Sequence, residues 1–422
     1  RGEGLSVSTV INYGTLNSTE RRMEMRHMNN GREVVIISGV RTAIGDFGGA
    51  LKDFAPTDLG ARCVREALSR GKLAPEEVGH VVFGNVIHTE TKDMYLSRVC
   101  AINGGIPKEV PAMTLNRLCG SGLQAIVSAA QIVALGDADV AVAGGVESMS
   151  RANYWLPGAR WGSKMGDQVV VDSLTGALSD PFDAMHMGVT AENVAAKYSL
   201  TRAMQDEFSV ESHRRAANAI QNGYFKDQIL PIEIKDRKGS KLFDTDEHVR
   251  GDATVENLGK LKTVFKKDGT VTAGNASGIN DGAAAVVLME RKLAEKKGLK
   301  PMARLVAYGH AGVEPTLMGL GPIPAVQSAM KKAGLKGADM DVIESNEAFA
   351  AQACAVARDL GFDPKKVNPN GGAVALGHPV GATGCIISVK ALYELQRIKG
   401  RYALVTMCIG GGQGIAAIYE RL

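Results

Sequence analysis

An internal repeat constrains the fold of this chain more than any other feature of its sequence. Residues 119–122 open an apolar stretch with helical spacing, and the strand-like run 139–143 that follows ends in a glycine turn. In the last third, residues 381–384 open the stretch 386–398, and the strand-like run 402–407 again ends in a glycine turn. Repetition on this scale indicates two similar α/β units. If these units pack side by side, their glycine turns meet at a shared seam.

The composition supports an α/β protein and argues against several other classes. The chain has 422 residues, of which 45% are hydrophobic, 5% are aromatic and 50 are glycine, as expected of two or three α/β domains with many tight turns. The net charge is +4 and no basic stripe is present, so we expect no nucleic-acid partner. The longest apolar runs, residues 139–145 and 283–289, are too short to span a membrane.

The cysteine pattern favours a reducing compartment. The six cysteines are scattered without the short paired spacings of a disulfide framework or a zinc site. We therefore expect a cytoplasmic protein without a bound metal. The cysteines are Cys63, Cys100, Cys119, Cys354, Cys385 and Cys408.

Changes in texture along the chain predict its domain organisation. Residues 1–30 are polar and lack an apolar face, so we expect a leader that lies outside the fold. Residues 31–150 with 272–300 are assigned to the first half, and residues 301–422 to the second. Residues 151–271 carry both tryptophans, denser charge and an amphipathic helix capped by Thr201, so we expect an inserted domain there.

Cys119 is the strongest candidate nucleophile. It follows a strand-like run and precedes a helix that we expect to end at Gly136, which places it at a helix N-terminus. Unpaired N–H groups and the positive end of the helix dipole should favour a thiolate there. A buried structural role is commoner for a lone cysteine, but the flanking residues 120–122 would let a ligand approach the backbone closely.

Three further residues stand at the proposed seam. His378 lies in the glycine-rich loop 370–384, which should leave its imidazole approachable, and a pKa of about 6.5 suits it to take a proton from a thiol. Cys408 ends the last apolar run before a glycine triplet and would be a second thiol of the same pocket. Asn346 is either the N-cap of a helix over 347–360 or an amide that orients a water or an oxyanion. Two thiols and a histidine could bind zinc, but the usual short spacings are missing.

These motifs, in this order, resemble the thiolase family, and within it the bacterial β-ketothiolases and acetyl-CoA C-acetyltransferases. The resemblance runs from about Arg32 to Leu422. It implies an α/β duplicated thiolase fold, with a five-layered α-β-α-β-α core and an inserted loop domain that covers coenzyme A. The matching segments are 116–124 around Cys119, 144–150 (Gly-Gly-Val-Glu-Ser-Met-Ser), 273–278 (Ala-Gly-Asn-Ala-Ser-Gly), 346–349 (Asn-Glu-Ala-Phe), 377–379 (Gly-His-Pro) and 408–412 (Cys-Ile-Gly-Gly-Gly).

The resemblance also implies a role for each catalytic candidate. Cys119 would accept the acyl group, and His378 would act as the base that activates it. One oxyanion hole would combine the backbone N–H groups of Cys119 and Gly410, and the other would combine His378 with a water held by Asn346. Cys408 would remove the α-proton of a second acetyl-CoA. Coenzyme A would be substrate and product, with no separate cofactor.

Residues for the acyl-CoA itself are carried over from the same resemblance. His186 and Met187 resemble a pocket wall, Ser277 a contact of the pantetheine arm, and Arg250 a contact of the nucleotide end. Three apolar residues, Leu178, Met318 and Phe349, match positions that line the tunnel, although ordinary core packing explains them equally well. A solvated surface charge is the corresponding alternative for Arg250.

Several alternatives stay open at the level of sequence. A decarboxylating 3-oxoacyl synthase of the same fold would not need Cys408, and a non-catalytic acyl-CoA-binding protein would not need Cys119, His378 and Cys408 together. Family habit suggests a homotetramer, a dimer of dimers. Acyl chain length and physiological direction do not follow from the residues.

Overall fold

The computed structural model describes residues 31–236 and 239–422 and shows fifteen strands and twelve α-helices over those ranges. The predicted leader, residues 1–30, lies outside the described residues. The strands are β1 (Val34–Thr42), β2 (Gly45–Asp46), β3 (His80–Gly84), β4 (Ala112–Leu115), β5 (Val140–Ser148), β6 (Tyr154–Trp155), β7 (Val171–Asp172), β8 (Ile229–Leu230), β9 (Ile232–Asp236), β10 (Gly239–Phe243), β11 (Asn280–Glu290), β12 (Ala303–Gly312), β13 (Val342–Ser345), β14 (Tyr402–Ile409) and β15 (Gln413–Arg421). The helices are α1 (Pro56–Gly71), α2 (Leu96–Asn103), α3 (Ser121–Leu135), α4 (Ser173–Ala177), α5 (Met187–Tyr198), α6 (Arg202–Gln221), α7 (Val255–Gly259), α8 (Arg291–Lys296), α9 (Pro322–Ala333), α10 (Ala350–Leu360), α11 (Ala373–Leu376) and α12 (Val380–Ile398).

The strand order confirms the duplication. In the first half the order is β4-β3-β5-β11-β1, with two parallel pairings followed by two antiparallel ones. In the second half β13-β14-β15-β12 repeats this pattern, and a parallel bridge from Ile343 to Val367 stands where β4 would be. The two halves join into one sheet through β1 and β12, which pair over Val35–Arg304 and Ile36–Ala303.

A pair of helices, α3 and α12, forms the central layer between the two halves of the sheet, while α1 and α9 cover the outer faces. The backbones of α3 and α12 approach closely: a Cβ on Gly122 would lie 2.6 Å from the Cys385 nitrogen, and one on Gly384 2.3 Å from the Leu123 nitrogen. The apolar segment Leu118–Leu135 has the length and composition of a membrane span, but 56% of it is buried inside the protein. We therefore interpret α3 as a core helix.

The region between β5 and β11 carries only short strands, and one of them joins the main sheet. β8 pairs with the end of β1, where Arg41 faces Ile229. The apolar run 34–40 predicts a strand followed by a loop over residues 41–45, but β1 continues to Thr42 and the Arg41 side chain is fully buried. Its guanidinium binds the Asp246 carboxylate with two hydrogen bonds, at 2.7 and 2.9 Å, so the inserted region is anchored to the sheet by a buried ion pair.

Helix boundaries were predicted correctly at some ends and wrongly at others. The Thr201 cap is confirmed, since its hydroxyl accepts the Met204 N–H, and Gly136 ends α3 with φ at 89°. The sequence also predicts an N-cap at Thr57, but this is wrong, because α1 begins at Pro56 after an Ala55 N-cap. The small residues 381–384 predict a turn before the stretch 386–398, but this is wrong, because these residues form the first turn of α12.

Candidate active site

Cys119 lies in the turn between β4 and α3, immediately before the N-cap residue Gly120. Leu118, just before it, has a left-handed φ of 44°, a strained conformation for a side chain of this size. The backbone N–H groups of Gly410 and of Cys119 itself point at the sulfur and favour its thiolate, but burial outweighs them and raises the pKa of Cys119 to about 11. The predicted thiolate is therefore wrong for the resting state, and the thiol needs a base.

His378 is such a base, and its neighbours fix which nitrogen is free. Its Nδ1 lies 2.7 Å from the Thr383 hydroxyl, which donates its own proton to the Pro379 carbonyl at 2.9 Å. The hydroxyl oxygen therefore accepts from Nδ1–H, which leaves the lone pair on Nε2. Nε2 has no hydrogen-bond partner among the described residues.

Burial decides the charge of His378. The residue is only 6% exposed, so the expectation of an open, approachable imidazole is wrong. Burial lowers its pKa to about 4. At neutral pH the ring is therefore uncharged and can accept a proton on Nε2.

The second thiol, Cys408, is the penultimate residue of β14 and is fully buried. Burial is the main cause of the raised pKa of the Cys408 thiol, and the nearby Cys119 raises it further. Cys408 packs in one apolar cluster with Met187, Met318 and Phe349, three of the residues assigned to the acyl-CoA. The fold thus gathers one proposed catalytic thiol and the proposed tunnel wall at one place.

Asn346 follows β13 and is not a helix cap. Helix α10 begins at Ala350 with Phe349 as its N-cap, so the first interpretation of Asn346 is wrong. Its backbone N–H donates to the Thr406 carbonyl, while both polar atoms of its side chain are buried without a partner among the described residues. A cavity of about 10 Å³, enough for one water, is lined by Asn346, Gly377 and Thr383 among others. Asn346 and the loop that carries His378 therefore border the same cavity.

Helix packing sets Cys119 and His378 at the same seam. A Cβ on Gly122 would lie 3.1 Å from the Gly381 carbonyl, so the first turns of α3 and α12 touch, and each candidate lies three residues before one of these glycines. Cys119 also packs against an apolar cluster that contains Val380, the first residue of α12, and Leu178, another proposed tunnel residue.

An aromatic wall that the sequence did not reveal joins the other proposed tunnel residues. Phe265 stacks on His186 with ring centroids 4.6 Å apart and meets Phe349 edge-on at 6.3 Å. His186 is also the N-cap of α5, since its Nδ1 accepts the Gly188 N–H at 3.1 Å. The sequence offers one weak signal for a role of Phe265, namely that aromatic residues are scarce in this chain.

Ser277 and Arg250 occupy different surroundings. The N–H of Ser277 donates to the Ala348 carbonyl, which places the 273–278 loop beside Phe349. Arg250 is exposed and belongs to neither apolar cluster; its guanidinium lies 3.7 Å from the Asp46 carboxylate. The structure therefore brings the predicted residues together except for Arg250, which stands apart at the surface.

Glu147 joins the two halves beside the site, and sequence reasoning gave it no role. Its carboxylate accepts the N–H groups of Val86, Ile87 and Gly381, at 2.8–3.0 Å, and the Asn85 amide at 3.0 Å. Burial raises its pKa to about 8 against the opposing effect of these donors. The first turn of α12, directly after His378, is thereby fixed to the end of β3.

The arrangement provides the parts for acyl transfer to sulfur: a thiol with two N–H donors, a neutral imidazole and a second thiol. Among residues 31–236 and 239–422, no group of three His, Cys, Asp or Glu side chains could hold a metal ion.

Comparison with known proteins identifies the family. The N-terminal domain model of thiolase matches residues 34–292, and the C-terminal domain model matches residues 299–421. The chain is 67% identical to the β-ketothiolase BktB of Cupriavidus necator over 93% of this chain and 100% of that protein. It is 51% identical to an acetyl-CoA acetyltransferase of Syntrophomonas wolfei, over 93% of this chain and 100% of that protein.

Solved structures agree with the sequence comparison. The crystal structure of human mitochondrial 3-ketoacyl-CoA thiolase in complex with CoA superposes with a TM-score of 0.90 at 46% identity, covering 93% of this chain and 98% of that one. Both domain models, the close relatives and the duplicated sheet lead to one conclusion. The chain belongs to the thiolase family of acyltransferases.

Proposed function

We propose that the protein catalyses the reversible Claisen condensation of two acyl-CoA molecules to 3-oxoacyl-CoA and free CoA, through an acyl-Cys119 intermediate. The observation that carries this proposal is the neutral imidazole of His378, with its free Nε2, at the same seam as the protonated thiol of Cys119. A buried second thiol, Cys408, accompanies the pair.

In the first half-reaction, Nε2 of His378 takes the Cys119 proton while the sulfur attacks the thioester carbon. The developing oxyanion is stabilised by the N–H groups of Cys119 and Gly410, and loss of one such donor costs about 3–4 kcal/mol of barrier. The tetrahedral intermediate then collapses and breaks the carbon–sulfur bond to CoA. CoA leaves as the thiol after taking a proton from Cys408, which becomes a thiolate, while His378 keeps the Cys119 proton on Nε2.

In the second half-reaction, the Cys408 thiolate removes the α-proton of a second acetyl-CoA. The enolate oxygen is stabilised by the proton on Nε2 of His378 and by a water on Asn346, and the enolate carbon attacks the acyl group on Cys119. The tetrahedral intermediate collapses, and Cys119 leaves and takes its proton back from His378. Because the charge of Cys119 is one cause of the raised pKa of Cys408, an acylated and uncharged Cys119 makes the Cys408 thiolate easier to form.

The substrate is an acyl-CoA ester that reaches the site under the inserted domain, residues 151–271. Met187, Met318, Phe349 and Leu178 line the acyl and pantetheine path, with His186 and Ser277 beside it and Arg250 at the nucleotide end. Two acyl-CoA substrates that differ by one methylene differ in transition-state binding by only about 1–3 kcal/mol. We extend the proposal to propionyl as well as acetyl groups and to a role in polyhydroxyalkanoate synthesis, as the resemblance to bacterial β-ketothiolases suggests.

We further propose a homotetramer in the cytoplasm. Several large apolar side chains between β6 and α5 are solvent-exposed in the single chain, with Trp161 87% and Met165 96% exposed, and a second copy of the chain is the occupant that we assign to them. A reducing compartment keeps Cys119 and Cys408 as thiols. Light scattering of the purified protein tests the assembly, and a monomer would contradict it.

A thiolysis series tests the function. Purified protein is mixed with CoA and 3-oxoacyl-CoA esters from four carbons upward, and loss of the enolate absorbance is recorded. Consumption of acetoacetyl-CoA is expected, together with an acetyl group on the Cys119 peptide by mass spectrometry. A folded protein that does neither would revive an acyl-CoA-binding protein, whereas malonyl-dependent activity that survives Cys408→Ala would favour a decarboxylating synthase.

A further inference from the structure

We propose that Asn280 is a positioning residue that holds His378 in place through its backbone. The inference rests on the proposed function, in which Nε2 of His378 removes the Cys119 proton. Asn280 begins β11 and is fully buried, and its Oδ1 accepts the backbone N–H of His378 at 2.9 Å. A backbone bridge between Ile279 and His378 lies beside this hydrogen bond.

The other end of the Asn280 amide is also engaged. Its Nδ2 donates to the Gly45 carbonyl at 3.1 Å and to the Asp46 carboxylate at 3.3 Å. One acceptor and two donors therefore match the three partners, as only an amide can. A carboxylate of the same shape would place an oxygen against two acceptor oxygens.

Two glycines enclose this amide and leave no room for a larger residue. A Cβ on Gly377 would lie 2.4 Å from Asn280 Cγ, and a Cβ on Gly278 would lie 2.7 Å from Asn280 Oδ1. Gly377 also has φ at 104°, which side-chain-bearing residues rarely adopt. Residue 377 must therefore be glycine, because any side chain there would displace the Asn280 amide from the His378 N–H.

Asp46 extends the contact to the inserted domain. The same carboxylate oxygen that accepts from Asn280 lies 2.6 Å from Nδ1 of His248, and the other oxygen faces Arg250 at 3.7 Å. The network therefore runs from the exposed Arg250 to the buried His378. Among the residues of this network, Asn280 has the fully buried side chain and is the residue that contacts the His378 backbone.

The test is Asn280→Asp, which keeps the shape and removes the donors. Displacement of His378 by about 1 Å would lower kcat for acetoacetyl-CoA thiolysis by roughly 100-fold. The KM for CoA should change much less than kcat, because the amide makes no direct contact with the proposed CoA residues and reaches Arg250 only through Asp46. Alkylation of Cys119 by iodoacetamide, followed on its peptide by mass spectrometry, should slow in parallel.

Gln205→Glu is the matched control. Gln205, on α6, is also fully buried, and its Nε2 donates to the Thr270 hydroxyl at 2.8 Å and to the Leu200 carbonyl at 3.4 Å, without touching His378. Its substitution also replaces a buried amide donor by a carboxylate, so it should lower the melting temperature, and it should leave kcat and the alkylation rate close to wild type.

Folded Asn280→Asp with wild-type kcat and alkylation would overturn the inference, as would an equal loss of both in Gln205→Glu. If Asn280→Asp fails to fold, Asn280→Ala, which adds no charge, is judged by the same two criteria. A wild-type protein that thiolyses no acetoacetyl-CoA would refute the proposed function instead. The alkylation comparison would then still decide whether Asn280 positions His378.

Discussion

The hydrogen bond between His378 and Thr383 makes a quantitative prediction for Thr383→Val. Valine has the shape of threonine but lacks the oxygen that accepts the Nδ1 proton at 2.7 Å. In a histidine that is 6% exposed, no water replaces that acceptor freely. An unsatisfied buried donor costs about 1–3 kcal/mol, and the ring can avoid this cost by moving its proton to Nε2, where it can no longer act as base.

A cost of that size corresponds to a decrease of about 10- to 100-fold in kcat/KM, because 1.36 kcal/mol is a factor of ten in rate. The assay is thiolysis of acetoacetyl-CoA at neutral pH. Thr383→Ser keeps the hydroxyl and is the control, with activity expected near wild type. Thermal unfolding of both variants separates the tautomer effect from loss of the bond to the Pro379 carbonyl.

Equal activity of Thr383→Val and Thr383→Ser would refute this reasoning. The same conclusion would follow if the valine variant lost only stability. Slower iodoacetamide alkylation of Cys119 in the valine variant alone would support it, since alkylation reports proton removal by His378 without any CoA ester.

Three further predictions follow from the same geometry. Because burial lowers the pKa of His378 to about 4, the base is present above that pH and lost below it, so kcat/KM should fall with a midpoint near 4; a midpoint near 6.5 would contradict this. The folded protein also loses stability as the pH falls from 6.5 towards 4, because the unfolded histidine binds a proton first, so circular dichroism is recorded at each pH. Cys408→Ala should still form acetyl-Cys119 by mass spectrometry while condensation falls roughly 10²–10⁴-fold, and full condensation activity would exclude Cys408 as the base. Lys390→Met leaves the buried Glu344 without its partner at 2.9 Å and should reduce the free energy of unfolding in urea by about 3–5 kcal/mol, whereas a loss below about 1 kcal/mol would show that Glu344 is protonated there.

Local patterns predicted the repeat and the catalytic candidates because their signals are contiguous in sequence. Cys119 beside two glycines, and Cys408 before three, are visible in a few residues. The predicted thiolate of Cys119 is wrong because burial raises the pKa of its thiol, and that burial depends on segments far away in the sequence. The backbone N–H groups of Cys119 and Gly410 lower the pKa but do not outweigh burial.

The start of α10 illustrates a second kind of error. An Asn-Glu sequence before an apolar run predicts a helix from residue 347, yet the helix begins at Ala350. The preceding residues pair with the 275–277 loop instead: Ala276 bridges Phe349, the Ser277 N–H donates to Ala348, and the Ala350 N–H donates to Asn275. A tertiary pairing thus replaces the first helical turn.

The glycines at the start of α12 illustrate a related error. Gly381 and Gly384 suggested a turn, but they lie inside the helix, where they allow close packing on Glu147, Gly122 and Leu123. Asn280 and Thr383 gave no signal that stood out from ordinary helix and strand positions. Their importance comes from partners brought in by the fold.

The position of β11 within the sheet has a consequence for how the protein is made. β11 lies between β1 and β5, yet it leaves the ribosome only after the whole region between β5 and β11 has been synthesised. Until then β1 and β5 have unpaired edges, which invite pairing with other chains. The N–H of Gly410 that reaches Cys119 comes later still, so a nascent chain carries its nucleophile long before it has a pocket.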